Sequence, residues 1–151
     1  MTLRPTVAAL LLRPARPYTL IAAHWPKKAH EKDEYSLTTP GGGINAGETP
    51  LDAMRREIAE EYGIADVKLT EIPGFVDVHE KRYHWFVGEV GAVPLCPDAT
   101  EVVSAHWYAG PLVFGLALGA MHEEKQLMVR RVMRFARRTH GQLLKCYEPL
   151  L

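Results

Sequence analysis

Four glutamates and one arginine are regularly spaced in residues 42–64, which read GGINAGETPLDAMRREIAEEYGI. On a helix, Glu57, Glu60 and Glu61 would occupy one arc roughly 100° wide. Carboxylates this close repel one another, and no lysine stands at i+4 positions to relieve the repulsion. Clustered carboxylate oxygens suit a hard divalent cation such as Mg²⁺ or Mn²⁺. The spacing therefore predicts a metal site.

The same stretch contains signals for the helix that must position these acids. Thr49 is a suitable N-cap, because its hydroxyl can accept a hydrogen bond from the first helical turn. Pro50 fits the first helical position, and Gly63 fits the left-handed C-terminal stop. A helix over residues 50–62 would bury one apolar stripe, formed by Leu51, Met54, Ile58 and Tyr62.

The segment before the helix, Pro40 to Gly43, is predicted to be a loop whose backbone approaches a ligand closely, because it is rich in glycine. An amphipathic helix with a charged outer face would explain the two acids before Gly63 equally well. It would not explain the whole spaced array.

The array resembles the Nudix box, G-x5-E-x7-R-E-U-x-E-E-x-G-U with U a bulky aliphatic residue, and it matches every specified position. The resemblance implies an α/β fold, an α/β/α sandwich with a mixed curved sheet between helices. It also implies a hydrolase that uses Mg²⁺ or Mn²⁺ to split a pyrophosphate linkage in a nucleoside diphosphate derivative.

Roles for individual residues follow from the same resemblance. Metal ligands would be Glu57, Glu60 and Glu61, together with the carbonyl of Gly41. Arg56 would brace the acids, including Glu48. Either Glu60 or Glu57 would act as the general base, and the spacing does not choose between them.

A further acid from outside the box often completes such a site. We expect it to be Glu101, which precedes Trp107 by six residues at the start of a predicted strand, with Glu80 and Glu89 as competitors. This E-x5-W spacing resembles the bacterial RNA pyrophosphohydrolase and dinucleoside polyphosphate hydrolase branch of the family. An exposed acid at a strand start is the alternative interpretation.

Three weaker likenesses point to the same branch: LRPTVAALL at the start of the chain, the strand around Trp85, and VRRVMRFA near its end. That branch usually has Gln where Gly41 stands. Hydrolysis of a nucleoside triphosphate, dinucleoside polyphosphate or related compound is the main prediction, and RNA 5′-end pyrophosphate hydrolysis is the alternative. A non-catalytic nucleotide sensor is the competing class, although such modules usually lose an acid of the box.

Candidate substrate contacts lie outside the box, and each also has a structural interpretation. Lys27 and Lys28 could reach a polyphosphate or simply belong to a solvated loop. Arg82 could contact phosphate, whereas Tyr83 and Trp85 could stack on a base or pack in the core. The arginines of the last helix form either a polyanion-contacting face or a solvated one.

Length and composition predict one domain over residues 1–151, with a sizeable core. Eighteen basic and 18 acidic residues give a formal net charge of zero, which argues against a dedicated nucleic-acid-binding protein. Two cysteines and a short N-terminal apolar run suggest a cytoplasmic protein without a membrane span. Many relatives of this family are dimers, so a homodimer is also implied.

The remaining elements are predicted from their patterns. They are a strand at 3–13, its hairpin partner at 18–25, a short strand at 35–39, a strand at 67–78 interrupted at Pro73-Gly74, strands at 83–90 and 101–108, a short helix and loop at 111–120, a final helix at 121–139 and a tail or edge strand at 141–151.

Overall fold

The computed structural model describes residues 2–13, 20–26, 37–91, 94–98, 102–145 and 147. In chain order the elements are β1 (Arg4–Leu12), β2 (Leu20–Pro26), β3 (Gly41–Gly43), α1 (Pro50–Tyr62), β4 (Val67–Glu71), β5 (Val76–Val78), β6 (Lys81–Val90), β7 (Val102–Ala109), α2 (Gly110–Gly119) and α3 (Glu123–Leu144). None of the helices among these residues is long and apolar enough to cross a lipid bilayer.

Five strands form the main sheet, in the order β3-β1-β6-β4, with β5 also paired to β6. The β1–β6 pair is parallel, and the other pairs are antiparallel. Residues 6–12 of β1 are all buried, which fits a continuous apolar run in a central strand covered on both faces. The predicted mixed sheet is confirmed.

Alternate residues of β1 point to opposite faces of the sheet and define two cores. Ala8, Leu10 and Leu12 pack with α2 and α3 on one face. Val7, Ala9 and Leu11 pack with α1 on the other face. The sheet therefore lies between helices, as predicted, and it separates α1 from the final helix.

The predicted hairpin between residues 3–13 and 18–25 is wrong. Strand β2 pairs antiparallel with β7 in a separate two-stranded sheet. The physical reason is that much of β1 is already paired, since β6 occupies the whole of one edge and β3 occupies residues 6–8 of the other.

Three boundaries also differ from the predictions. The glycines 41–43 form strand β3 against β1 instead of a loop. Within the described part of 35–39, only an isolated bridge at Thr38 is found.

The final helix continues through Leu144, with a kink at His140, so residues 141–144 are not a tail. It continues because Leu144 is fully buried in the core. The predicted apolar stripe of this helix is confirmed (Met128, Val129, Val132, Met133 and Ala136).

The core beneath α1 provides a stability prediction. Phe86 is fully buried there, so Phe86→Ala should lower the free energy of unfolding by about 3–5 kcal/mol. Phe75 is 52% exposed, and Phe75→Ala should cost about 1 kcal/mol or less. Urea denaturation of both variants measures the difference, and equal losses would contradict this assignment of the core.

Candidate active site

Helix α1 begins and ends where its capping residues predict. The Asp52 N–H donates to Thr49 Oγ1 at 3.1 Å, which caps the N-terminus. Gly63 adopts the left-handed conformation (φ 70°) and its N–H donates to the Ala59 carbonyl at 2.9 Å. Of the predicted stripe, Met54, Ile58 and Tyr62 are fully buried and Leu51 is partly buried, which fixes the rotation of the helix.

The guanidinium of Arg56 is the centre of a network that joins the helix to the segment before it. It donates to both carboxylate oxygens of Glu48, Nε at 2.7 Å and Nη2 at 2.9 Å. Nη2 also donates to the Gly43 carbonyl at 2.9 Å. Nη1 donates to Glu57 at 2.9 Å and to Glu60 at 3.1 Å. One side chain thus holds three carboxylates and a strand end in fixed relation.

This network keeps Glu48 ionised. The hydrogen bond from Arg56 lowers the pKa of Glu48, and the Asn45 N–H, which donates to it at 2.8 Å, lowers that pKa further. The Glu48 carboxylate in turn raises the pKa of Arg56. A bidentate pair with planar geometry holds its partners more tightly than a lysine could.

The three helix acids differ sharply in exposure. The side chain of Glu60 is 57% exposed, and that of Glu57 only 13%. Glu61 is buried, with 4% exposure, and its Oε1 accepts from the Gly41 N–H at 3.2 Å. The burial of the three acids therefore increases from Glu60 through Glu57 to Glu61. Their positions on one helical arc did not predict this difference in exposure.

Burial raises the pKa of Glu57, while the hydrogen bond and the positive charge of Arg56 oppose this shift. The repulsion from Glu60 adds to the increase. An additional positive charge beside these oxygens would therefore stabilise the ionised form of Glu57.

Gly42 makes room for the Glu57 carboxylate. A Cβ built on Gly42 would overlap all three atoms of that carboxylate group. The requirement here is for close approach of the backbone, because any side chain at this position would displace the acid.

The donor set fits a divalent cation chemically, since one guanidinium bonds three carboxylates, a fourth carboxylate belongs to Glu61 on the same helix, and all of these ligand atoms are hard oxygens. Within the described residues, no three acidic, histidine or cysteine side chains already surround a common metal position. In this structure Arg56 holds one oxygen of Glu57 and one of Glu60. A bound metal would compete with Nη1 for those oxygens.

The acid predicted outside the box, Glu101, lies outside the described residues, as do Lys27 and Lys28. Among the competitors, Glu89 lies 3.5 Å from Lys68 and 3.9 Å from His140. The Glu80 side chain is exposed in the turn before β6.

The other predicted substrate contacts lie apart from the Arg56 network. Arg82 makes a two-bond ion pair with Asp77, at 2.9 and 3.0 Å. Tyr83 and Trp85 belong to the core on the α3 face, opposite α1, and Trp85 is 2% exposed. Their proposed contact with substrate stays a prediction.

Sequence reasoning missed Lys125, whose ammonium lies 5.0 Å from the Trp85 ring centroid and 5.2 Å from that of Tyr83. Burial, together with repulsion from Lys81, lowers the pKa of Lys125 to about 7, against attraction from Glu61. A signal existed, because Lys125 falls three and four residues before Met128 and Val129 on the buried stripe.

Comparisons with known proteins identify the family and the fold. The family model described as NUDIX domain matches residues 2–140. An RNA pyrophosphohydrolase of Helicobacter pylori (strain G27) is 39% identical over 67 residues, which cover 44% of this chain and 41% of that protein. One from Sulfurovum sp. (strain NBC37-1) is 38% identical over 80 residues, covering 48% and 45%. The matched stretches thus span less than half the length of these relatives.

Solved structures share the fold at low sequence identity. A C. elegans Ap4A hydrolase, solved as a binary complex, superposes with a TM-score of 0.68 at 14% identity, covering 88% of this chain and 97% of that one.

The contact between Gly42 and Glu57 can be tested by substitution. Gly42→Ala should displace the Glu57 carboxylate and weaken Mn²⁺ binding at least about tenfold, since a misplaced ligand loses its contribution to the site. Gly91→Ala is the matched control, because a Cβ there meets nothing within 4 Å. Calorimetric titration with Mn²⁺ measures both, and equal affinities would contradict the role of Gly42.

The Arg56 network predicts a stability change. Arg56→Lys keeps the positive charge but cannot make the two parallel hydrogen bonds to Glu48. The free energy of unfolding should therefore fall by about 1.5–3 kcal/mol. Arg55→Lys, on the exposed side of the same helix, should change it by about 0.5 kcal/mol or less.

The effect of Arg56→Lys should also depend on pH. Because the folded-state pKa of Glu48 is lowered, its contribution is present above the ordinary value of 4.5 and is lost as pH falls through the lowered value. The difference between wild type and Arg56→Lys in urea denaturation should therefore shrink in acid. A difference that stays constant from neutral to strongly acidic pH would exclude Glu48 as its source.

Proposed function

The chain belongs to the Nudix family, and from this premise we propose that it is a metal-dependent hydrolase that cleaves a pyrophosphate linkage in a nucleoside diphosphate derivative. The observation that carries the proposal is the Arg56 network, which gathers Glu48, Glu57 and Glu60 beside the buried Glu61. On a solvated helix face, water would separate the carboxylates and no such network would be required. A site that binds a cation requires several carboxylates to be held close together, and the network does this.

We propose that Glu57, Glu60, Glu61 and the Gly41 carbonyl hold Mg²⁺ or Mn²⁺, with Glu101 as the further acid. When bound, the metal polarises phosphoryl oxygens and lowers the pKa of water. Glu57 is fixed between Arg56 and Gly42, and Glu61 is fixed by the Gly41 N–H, so both are pre-oriented as ligands. Glu48 and Arg56 position the others and need not touch substrate.

For the general base, the geometry favours Glu60 over Glu57. Glu60 is the most exposed of the helix acids and makes one hydrogen bond to Arg56, so it can turn to accept a proton from the attacking water. Glu57 is more buried and more tightly held. The leaving phosphate departs with the electrons of the broken P–O bond.

As substrates we propose nucleoside triphosphates or other nucleoside diphosphate derivatives first, followed by dinucleoside polyphosphates. RNA 5′ ends are the second candidate, favoured by the names of the Helicobacter and Sulfurovum relatives. The box selects the reaction, whereas the residues that would select the substrate lie elsewhere in the chain.

We also propose a cytoplasmic location, supported by Cys96, which is a free and exposed thiol. A homodimer stays a prediction.

Neutralising the helix acids tests the mechanism. Glu57→Gln, Glu60→Gln and Glu61→Gln should each lower kcat/KM by about 100-fold or more, because each removes a charged oxygen ligand or the base. Glu71→Gln, at the exposed end of β4, is the matched control and should retain wild-type turnover. Phosphate and pyrophosphate release from a nucleotide panel with Mg²⁺ or Mn²⁺ is the measurement.

The panel should contain a nucleoside triphosphate, a dinucleoside tetraphosphate and a 5′-triphosphate RNA, so that the substrate class is decided together with the reaction. Wild-type turnover in both Glu60→Gln and Glu61→Gln would refute the mechanism. Tight nucleotide binding by the wild type without turnover would favour a sensor instead.

A further inference from the structure

A cleft of about 660 Å³ lies between the N-terminal end of α3 and the turn that joins β5 to β6. Leu37 and Thr38, from the segment before β3, also line it. Gly41 follows three residues after Thr38 and donates to Glu61, so the cleft adjoins the segment that leads into the proposed hydrolytic centre. The partly buried side chain of Lys125 is part of its wall, and we call the cavity the Lys125 cleft.

The Lys125 ammonium has aromatic neighbours but no counter-ion among the described residues. It lies 5.0 Å from the ring centroid of Trp85 and 5.2 Å from that of Tyr83. Within that part of the chain, no carboxylate forms an ion pair with it. Aromatic faces compensate only part of the cost of removing an ammonium from water. The positive charge of Lys125 therefore lacks the partner that a partly buried charge normally has.

The indole N–H of Trp85 is a second donor without an acceptor. The residue is 2% exposed, and its Nε1 is buried with no hydrogen-bond partner in the described structure. Most buried polar atoms in proteins have such a partner. Two donors that need acceptors, the ammonium and the indole N–H, are thus found at one aromatic ring.

The acids of the cleft do not supply the missing negative charge. The charged or titratable lining residues are Tyr83 and the group His79, Glu80, Lys81, His122, Glu124 and Lys125. Glu124 lies 2.6 Å from His79, and the Glu80 side chain is exposed in the turn. Lys81 repels the Lys125 ammonium, whereas Glu61 attracts it from the direction of the hydrolytic centre. Two ammonium groups therefore act on each other at this cleft.

A phosphate group carries the charge and the acceptor oxygens that this arrangement lacks, and lysine binds phosphate as a point charge. We propose that the Lys125 cleft binds a phosphate group, with the Lys125 ammonium as its charge partner and Lys81 beside it. The site uses no residue of the Arg56 network. The phosphate is either a part of the substrate or a free phosphate ion, and the experiment separates these two sources.

NMR of the full chain labelled with ¹³C-lysine follows the Lys125 side chain directly. Divalent cations are left out, so that phosphate cannot bind through a metal. One lysine should titrate with a pKa of about 7, and its signal should be missing in Lys125→Met. Saturating inorganic phosphate should raise this pKa by about 1 or more, because an anion that binds the charged form about tenfold more tightly shifts the equilibrium by that amount. Sulfate, which keeps its charge over this pH range, should do the same.

Two salts and one variant are the controls. Sodium chloride at the same ionic strength should raise the pKa by less than about 0.3, since it only screens. Acetate has a single charge and should raise it about half as much as phosphate. Lys145→Met, just after the end of α3 and outside the cleft lining, should keep the signal and its shift.

Three results would overturn the proposal. Phosphate that moves no lysine signal dependent on Lys125 would exclude the site, and an equal shift with chloride would reduce it to screening. An equal shift with acetate would exclude its assignment to phosphate.

Kinetics with Mg²⁺ and a nucleoside triphosphate identify the source of the phosphate. If it belongs to the substrate, Lys125→Met should raise KM about fivefold or more and keep kcat, because binding is lost and the hydrolytic residues are untouched. Lys125→Arg, which keeps the charge, should then restore KM, and Lys145→Met should not change it. An unchanged KM in Lys125→Met, together with the NMR shift in the wild type, would assign the site to free phosphate.

The proposed hydrolysis and the Lys125 cleft can fail separately. A wild type whose Lys125 signal responds to phosphate, but which hydrolyses no nucleotide, would refute the proposed function alone. A wild type that hydrolyses nucleotides, but whose Lys125 signal ignores phosphate, would refute the cleft alone.

Discussion

The Arg56 guanidinium is the interaction on which the site depends. Its fork is saturated by Glu48, Glu57, Glu60 and the Gly43 carbonyl, so a single side chain sets the distance between α1 and β3. Without it, like charges on adjacent turns would drive the carboxylates apart into water. The guanidinium therefore supplies the positive charge that holds these carboxylates together.

Strand β1 imposes the second constraint. Because it is paired on both edges and buried on both faces, it divides the molecule into two sides. The helix acids, with β3 beside them, lie on one side. Helix α3, with its arginines, lies on the other side, where it covers the sheet. A net charge of zero conceals this division.

The fold was predictable where the signals are local or strongly periodic. The caps Thr49 and Gly63 and the stripe of α3 needed only neighbouring residues. The partner of β2 was not predictable. Its sequence pattern would be the same whether it paired with β1 or with β7, and the choice depends on which strand edges are already occupied. The glycine strand β3 was missed for a related reason. Its strand conformation comes from the ladder with β1, because glycine has no strand preference of its own.

For the site, the sequence alone determined which residues can do chemistry, because the spacing of Glu57, Glu60 and Glu61 on a capped helix is a local property. It also determined that Arg56 lies within reach of the acids. Only the tertiary structure decided that Glu61 is buried against Gly41 while Glu60 stays in solvent, since exposure depends on what covers the helix. Likewise, only packing places the Lys125 ammonium beside the rings of Tyr83 and Trp85, because that contact joins residues far apart in the chain.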